Sequence, residues 1–300
     1  PGIAVTDHES LGCHVELDRI QEEYREKYPD FKIVRGNEIY LTDTRDKGQY
    51  YYHHILLALD AVGHKMLREL SSNAWINSYF DRGMERVPTL KTEVENVIQK
   101  YGQGHLYASA ACLAGEINHH LSLMNQAEQI GDIATVSESH NNIVNFILWC
   151  KKTYGDTYFS LEVAPGRGEE QLAVNARMSS LAKAFNLPIV IGCDTHYLRK
   201  EDRYIHKAFL NSKDGEREID SFYSYAYLQS EDEIIKNLEG TGLDYKQLCA
   251  NSMVIWDKCQ HYSLAHKQQV PQVPVVDYPK ENKNNHKYDT KKYPTLDYLM

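Results

Sequence analysis

The sequence predicts an α/β fold, either a β/α barrel or an open sheet, whose strand tips share one metal site. Three observations carry this. The apolar, β-branched run at 188–198 reads as a buried strand and closes on Asp194-Thr195-His196. Near the other end of the chain, 3–8 is a second apolar run, closing on Asp7-His8. Between them, short strand-like runs alternate with helical stretches of ten or more residues, the pattern of βα units and a mostly parallel sheet.

Taken in order, the strand at 3–8 is followed by a helical stripe over 10–28, for which Ser10 is the expected N-cap. A short strand at 31–34 precedes Gly36-Asn37-Glu38, and 51–59 is a strand with His53 and His54 near its start. Helices follow at about 60–71 and 91–101. The strand-like run 105–111 leads into Cys112-Leu113-Ala114-Gly115-Glu116. Long helices are expected at 116–130 and 133–153, a strand at 158–163, a helix at 168–185 and the strand at 188–198. Beyond Leu198 the alternation ceases. Helices at 202–211, 231–238 and 243–259 have only a strand-like run at 225–228 among them. Residues 268–294, rich in Pro, Lys, Asn and Tyr, read as an extended linker. No internal repeat is visible.

With 300 residues, 42% apolar and 25% charged, the chain has a globular, soluble composition and ample core. No apolar run approaches the roughly 18–20 residues of a membrane span, so no membrane partner is expected. No signal peptide is visible. The chain opens at Pro1, already inside what reads as a strand, and is expected to be a fragment. Its six scattered cysteines form no CxxC pair, which predicts a reducing, cytoplasmic setting. A net charge of −9 makes it a poor sole grip for nucleic acid.

On this map His8, Glu38, His53, Cys112, Asp194 and His196 all fall at the C-terminal ends of strands, where β/α folds collect their sites. Asp194 and His196, two apart on a strand, are expected to leave on the same face. Imidazole, carboxylate and thiol donors together suit zinc, manganese or iron. Singly, each has a plainer reading: a hydrogen-bonded core or loop histidine, Glu38 a solvated turn residue, Cys112 a small buried hydrophobe. His53 and His54 cannot both face the site. His119 and His120 read as surface residues, as do His64, His105, His140 and His206.

The order of the segments adds a resemblance. Val5-Thr6-Asp7-His8, Gly36-Asn37-Glu38-Ile39-Tyr40, Tyr52-His53-His54-Ile55, Ser109-Ala110-Ala111-Cys112-Leu113-Ala114-Gly115-Glu116-Ile117, Tyr158-Phe159-Ser160-Leu161-Glu162-Val163 and Asp194-Thr195-His196-Tyr197-Leu198 occur in sequence. This resembles the polymerase-and-histidinol-phosphatase (PHP) domain of the alpha subunit of bacterial DNA polymerase III, a family C replicative polymerase. The resemblance implies a distorted seven-stranded β/α barrel with parallel strands and a cluster of divalent ions, zinc or manganese. It places the ligands on His8, Glu38, His53, Cys112, Asp194 and His196. The family's opening His-X-His strand and following Asp would lie before Pro1, leaving the first strand missing. Glu9 stands where the family commonly has Gly, and His54 where it has an apolar residue pointing away from the site.

Residues 293–300 resemble the entry into the polymerase portion. The domain expectation is therefore 1–265 for the PHP domain and 266–300 for the linker and start of the thumb and palm. Magnesium-binding palm carboxylates would lie beyond Met300. The resemblance implies a parent protein that engages DNA and synthesises it from a template. The domain itself would be a metal-dependent 3′–5′ exonuclease, or a scaffold docking a separate proofreading exonuclease and other replisome subunits. A free-standing metal-dependent phosphoesterase is the alternative, disfavoured by the Cys112 block and by the C-terminal segment.

Overall fold

In the computed structural model, residues 2–81, 84–212 and 220–267 are described, and Pro1–Ser263 is one compact unit. The linker expected at 268–294 and the segment 293–300 lie outside the described residues. The chain enters through β1 (Gly2–Val5), passes along α1 (His14–Lys27) and returns in β2 (Lys32–Thr42), parallel to β1. No helix separates β2 from β3 (Tyr52–Ala58), and β3 accordingly runs antiparallel to β2. A parallel return requires a crossover of a dozen or more residues, usually helical. Next come α2 (Ala61–Ile76), the β4 (Tyr79–Asp81) and β5 (Met84–Arg86) hairpin, β6 (Pro88–Leu90) and α3 (Lys91–Tyr101). Then follow β7 (Leu106–Ser109), α4 (Glu116–Ile130), α5 (Ile133–Tyr154), β8 (Phe159–Val163), α6 (Glu169–Phe185) and β9 (Ile189–Ile191). The helices α7 (Arg203–Asn211), α8 (Asp220–Tyr223), α9 (Glu231–Leu238) and α10 (Tyr245–Lys258) complete the described fold.

Among the described residues the sheet has seven strands, in the order β1-β2-β3-β7-β8-β9 with β6 paired to the end of β2, and curls into half a barrel. It is mixed, since β3 is antiparallel to both β2 and β7 while β7, β8 and β9 are parallel. The expectation of uniformly parallel strands is corrected at β3. Among the described residues β1 and β9 are unpaired edges, and α10 spans them. Asn251 donates to the Ile189 carbonyl at 2.7 Å, Trp256 packs against Gly2, and Lys32 donates to the Trp256 and Cys259 carbonyls at 3.0 Å.

Strand alternation sorts the sheet into two faces. The outer face packs Ile39, Leu41, Leu56 and Ala58 against Met66 and Leu67 of α2, Val94 of α3 and Phe146 of α5 in the main core. The inner face is graded. One end is apolar, with Val34, Leu57, Tyr107 and Val190 closed off by Ile255 and Cys259 of the α10 segment. Further along the same strands, in the same alternation, come Glu38, His53, Ser109 and Glu162.

Three local expectations are revised. The buried face of α1 is polar: His14, Asp18 and Gln21 are buried, while Val15 is 73% exposed. Asp18 pairs with Arg35 at 2.5 Å, and Gln21 accepts from the Ile33 amide at 2.7 Å. The N-cap is Cys13, without a side-chain cap, rather than Ser10. Finally, 225–228 contributes only a bridge between Tyr197 and Tyr227 rather than a strand.

Candidate metal centre

Beyond β1 the chain continues its ladder with β2. Glu38 N–H donates to the Asp7 carbonyl at 3.2 Å, and Glu9 N–H donates to the Glu38 carbonyl at 3.0 Å. This sets His8 beside Glu38. Glu9 has a left-handed backbone (φ 46°), and its buried side chain accepts from the Tyr40 amide at 2.7 Å, pinning the turn after His8. The Tyr40 ring stacks on His8, with centroids 5.4 Å apart.

His53 enters from the opposite direction. Because β3 is antiparallel, its N-terminal end lies beside the C-terminal parts of its neighbours. There His53 N–H donates to the Ala114 carbonyl at 3.0 Å. The Cys112 loop is clamped from below: Ala111 is left-handed (φ 62°), and Asn118 donates to the Ala111 and Cys112 carbonyls, each at 3.0 Å. Cys112 Sγ is thereby held 3.4 Å from His53 Nδ1.

Asp194 and His196 arrive differently from expected. The strand β9 ends at Ile191, and both residues sit in the loop after it. Gly192 starts that loop; its backbone lies so close to Glu162 that a Cβ there would sit 1.8 Å from the carboxylate. Asp194 is left-handed (φ 43°), so strand alternation does not orient the pair. Instead His196 N–H donates to the Ala226 carbonyl at 2.8 Å, and His196 Nδ1 lies 2.8 Å from the Asp194 carbonyl.

Donor atoms of His8, Glu38 and His53 all lie within 4.8 Å of one another. His53 Nδ1 is 2.8 Å from Glu38 Oε1, yet that buried oxygen has no hydrogen-bond partner. Imidazole and carboxylate donors gathered this closely are a set that can hold a divalent cation. Burial, then the Asp194 carboxylate, pushes Glu38 up to about 7, against the opposing pull of His8 and His196. Burial also lowers the His8 and His53 imidazoles, favouring the neutral form that binds metal, and raises the Cys112 thiol. A cavity of about 400 Å³ opens onto the cluster, with His8, His53, Cys112, Asp194 and His196 in its wall.

Of the six candidates, His8, Glu38 and His53 lie within ligand distance of one another, while Cys112, Asp194 and His196 line the same cavity; the strand-tip argument accounts for only some of them. Glu38 lies in the middle of β2, not in a turn after a short strand. Glu162, which the sequence does not single out as a candidate, is a buried carboxylate on β8 that accepts from Ser109 Oγ at 2.5 Å. Burial pushes it up to about 8. Its one signal was an acidic residue inside an otherwise apolar, doubly covered strand. The surface readings also need correction. His120, His64 and His206 are buried, and His119 lines the cavity. His105 is bonded to Asp60 at 2.7 Å, while His140 is exposed as expected.

The PHP domain profile matches residues 1–165, the stretch that supplies His8, Glu38, His53 and Cys112. This chain belongs to the PHP domain family. It is 37% identical over 304 residues to the DNA-directed DNA polymerase of Bacillus phage SPbeta, covering 97% of this chain and 23% of that protein. It is 26% identical over 275 residues to DNA polymerase III subunit alpha of Borreliella burgdorferi, covering 87% of this chain and 21% of the relative. For the Campylobacter jejuni alpha subunit the figures are 26% over 212 residues, 69% of this chain and 16% of the relative. The PHP chain thus spans about a quarter or less of the polymerases it matches. Among its described residues no helix is long and apolar enough to cross a membrane.

Proposed function

We propose that this PHP chain is the metal-binding portion of a template-directed DNA polymerase and that its cavity removes nucleotides from 3′ ends. The observation that supports this best is the convergence of His8, Glu38, His53, Cys112, Asp194 and His196 on a cavity open to ligand. A site serving structure alone is normally closed around its ion. In this reading 1–265 is the PHP region, a distorted β/α barrel, and 266–300 leads toward the polymerase portion, where magnesium serves nucleotide transfer.

The six side chains would hold zinc or manganese, which when bound would supply Lewis-acid chemistry, polarising a phosphate oxygen and lowering the pKa of a bound water. The protein's own share is positioning. Glu38 anchors the floor, Glu9 fixes the turn carrying His8, Asn118 holds the Cys112 loop, and Ala226 holds His196. Hydrolysis places the water oxygen on phosphorus and leaves the shortened strand with a 3′ hydroxyl.

The test is 3′–5′ hydrolysis of a mismatched primer terminus by the full-length protein with added zinc or manganese. Asp194→Asn is expected to lower the rate at least about 100-fold, the scale of losing a metal ligand or its support. Equal rates for both proteins would overturn the nuclease reading. The net charge of −9 favours a second one, in which the metal braces a scaffold that docks a separate proofreading exonuclease. Chelation that lowers the melting temperature without altering any nuclease rate would select the scaffold.

A further inference from the structure

The cavity wall also carries two aromatic pairs beside the donor cluster. Tyr50 and His119 line it with ring centroids 4.4 Å apart and planes inclined by 32°. Phe222 and Tyr223 of α8 line it as well, with centroids 5.1 Å apart. The second aromatic pair abuts the donors directly: the His196 ring is 5.2 Å from Tyr223 and 6.2 Å from Phe222. Tyr50 remains 47% exposed, which leaves ring surface available to a ligand.

The charges in the wall give the cavity a direction. Among the described residues no Lys or Arg lines it, whereas Glu169 and Glu170 do, and Ser122 Oγ donates to Glu170. A phosphate is repelled from the acidic wall, and among the described residues the positive charge it would meet is a cation held by the donor cluster. The uncharged part of the same ligand is left facing the aromatic rings. About 400 Å³ accommodates a single nucleotide rather than a duplex.

We propose that Tyr50 and Phe222 form a base-stacking subsite that receives the terminal nucleotide of a single strand, its phosphate directed to the His8–Glu38–His53 end. This rests on the nuclease reading above for the identity of the phosphate. Stacking on aromatic side chains accepts any base, because every base has a π-face. A paired and stacked terminus must first be unpaired to enter, which costs least at a mismatch. The subsite therefore favours frayed ends without reading sequence.

The probe is the 5′-monophosphate of 2-aminopurine deoxyriboside, compared with base-free deoxyribose 5-phosphate, each titrated into the full-length protein with zinc. Stacking is expected to quench the 2-aminopurine fluorescence, with the nucleotide binding roughly tenfold tighter than the sugar phosphate. Tyr50→Leu and Phe222→Leu should each remove most of that advantage, and Tyr50→Trp should retain it. Equal affinity for the two ligands, unchanged quenching in both Leu variants, or failure of Tyr50→Trp to bind like wild type would overturn the subsite. Binding does not depend on turnover. Quenching without any 3′–5′ hydrolysis would sink the nuclease reading alone, and hydrolysis with equal affinities would sink the subsite alone.

Discussion

His53 and His54 are chain neighbours serving opposite faces of one sheet. His53 Nδ1 lies 2.8 Å from Glu38 Oε1 on the inner face, whereas His54 Nε2 lies 2.9 Å from the Tyr154 hydroxyl on the outer face. Strand alternation enforces the split. His54 is completely buried beside Phe146 and Trp149, and burial, reinforced by the Lys91 charge, lowers it to about 3. It is a neutral core residue whose one hydrogen bond ties β3 to the end of α5.

That division makes His54 separable from the site. His54→Leu should leave metal binding intact but strand the buried Tyr154 hydroxyl, costing about 1–3 kcal/mol. Adding Tyr154→Phe removes the orphaned group and should recover most of the loss. Urea denaturation of the two single variants and the double, with zinc binding measured alongside, tests this. A double variant no more stable than the worse single one would contradict it.

A second buried pair controls acid stability. His14 Nε2 lies 3.1 Å from the Gly36 carbonyl, so that nitrogen donates, and His14 Nδ1 accepts from His64 Nε2 at 3.0 Å. The arrangement needs a neutral His14, whose Nδ1 accepts, whereas His64 Nε2–H donates in either charge state; burial is what opposes a charge on His64. Burial, with His14, Arg68 and Arg35 nearby, lowers His64 to about 4, against the pull of Asp18. Below about pH 6.5 the unfolded chain takes up a proton that the folded one refuses, so stability falls as pH drops from 6.5 toward 4. The loss reaches about 2 kcal/mol by pH 5. His64→Gln keeps a donor and cannot titrate. Its urea midpoint should fall less than wild type between pH 7 and 5, and parallel falls would refute the assignment.

What the sequence made legible was whatever depends on local pattern. The periodicity over 91–101, 116–130 and 231–238 coincides with α3, α4 and α9. The donor residues stood out because they interrupt or end apolar runs. Less visible was anything decided by a distant contact. The reversed direction of β3 follows from its helix-free connection, which leaves no periodic mark. The strand β9 ends early because Gly192 rests on Glu162, and neither residue signals the other. The polar face of α1 is buried because Arg35, Gly36 and Ile33 supply its partners, so a hydrophobicity reading places it in solvent. His120 and His64, buried beside the distant rings of Tyr52 and His14, read as surface residues for the same reason.

Gly115 tests how tightly the Cys112 loop is built. Its φ of −70° suits any residue, so the requirement is space, not conformation. An added Cβ would lie 1.9 Å from the Ala110 carbonyl oxygen, a backbone atom that no rotamer change can move. Gly115 N–H also donates to the Cys112 carbonyl at 2.9 Å, and Gly115 bridges to His53, so any shift passes to two donors of the site. Gly115→Ala is expected to cost at least about 2 kcal/mol and to weaken zinc binding. It should also speed alkylation of Cys112, which is 7% exposed. Gly131→Ala provides the contrast. Its φ of 72° strains a side chain, but nothing lies within 4 Å of the added Cβ. That change should cost about 1 kcal/mol and leave Cys112 as slow to alkylate as in wild type. Equal alkylation of Cys112 in both variants would show that the loop is not held by the close approach of Gly115 to Ala110.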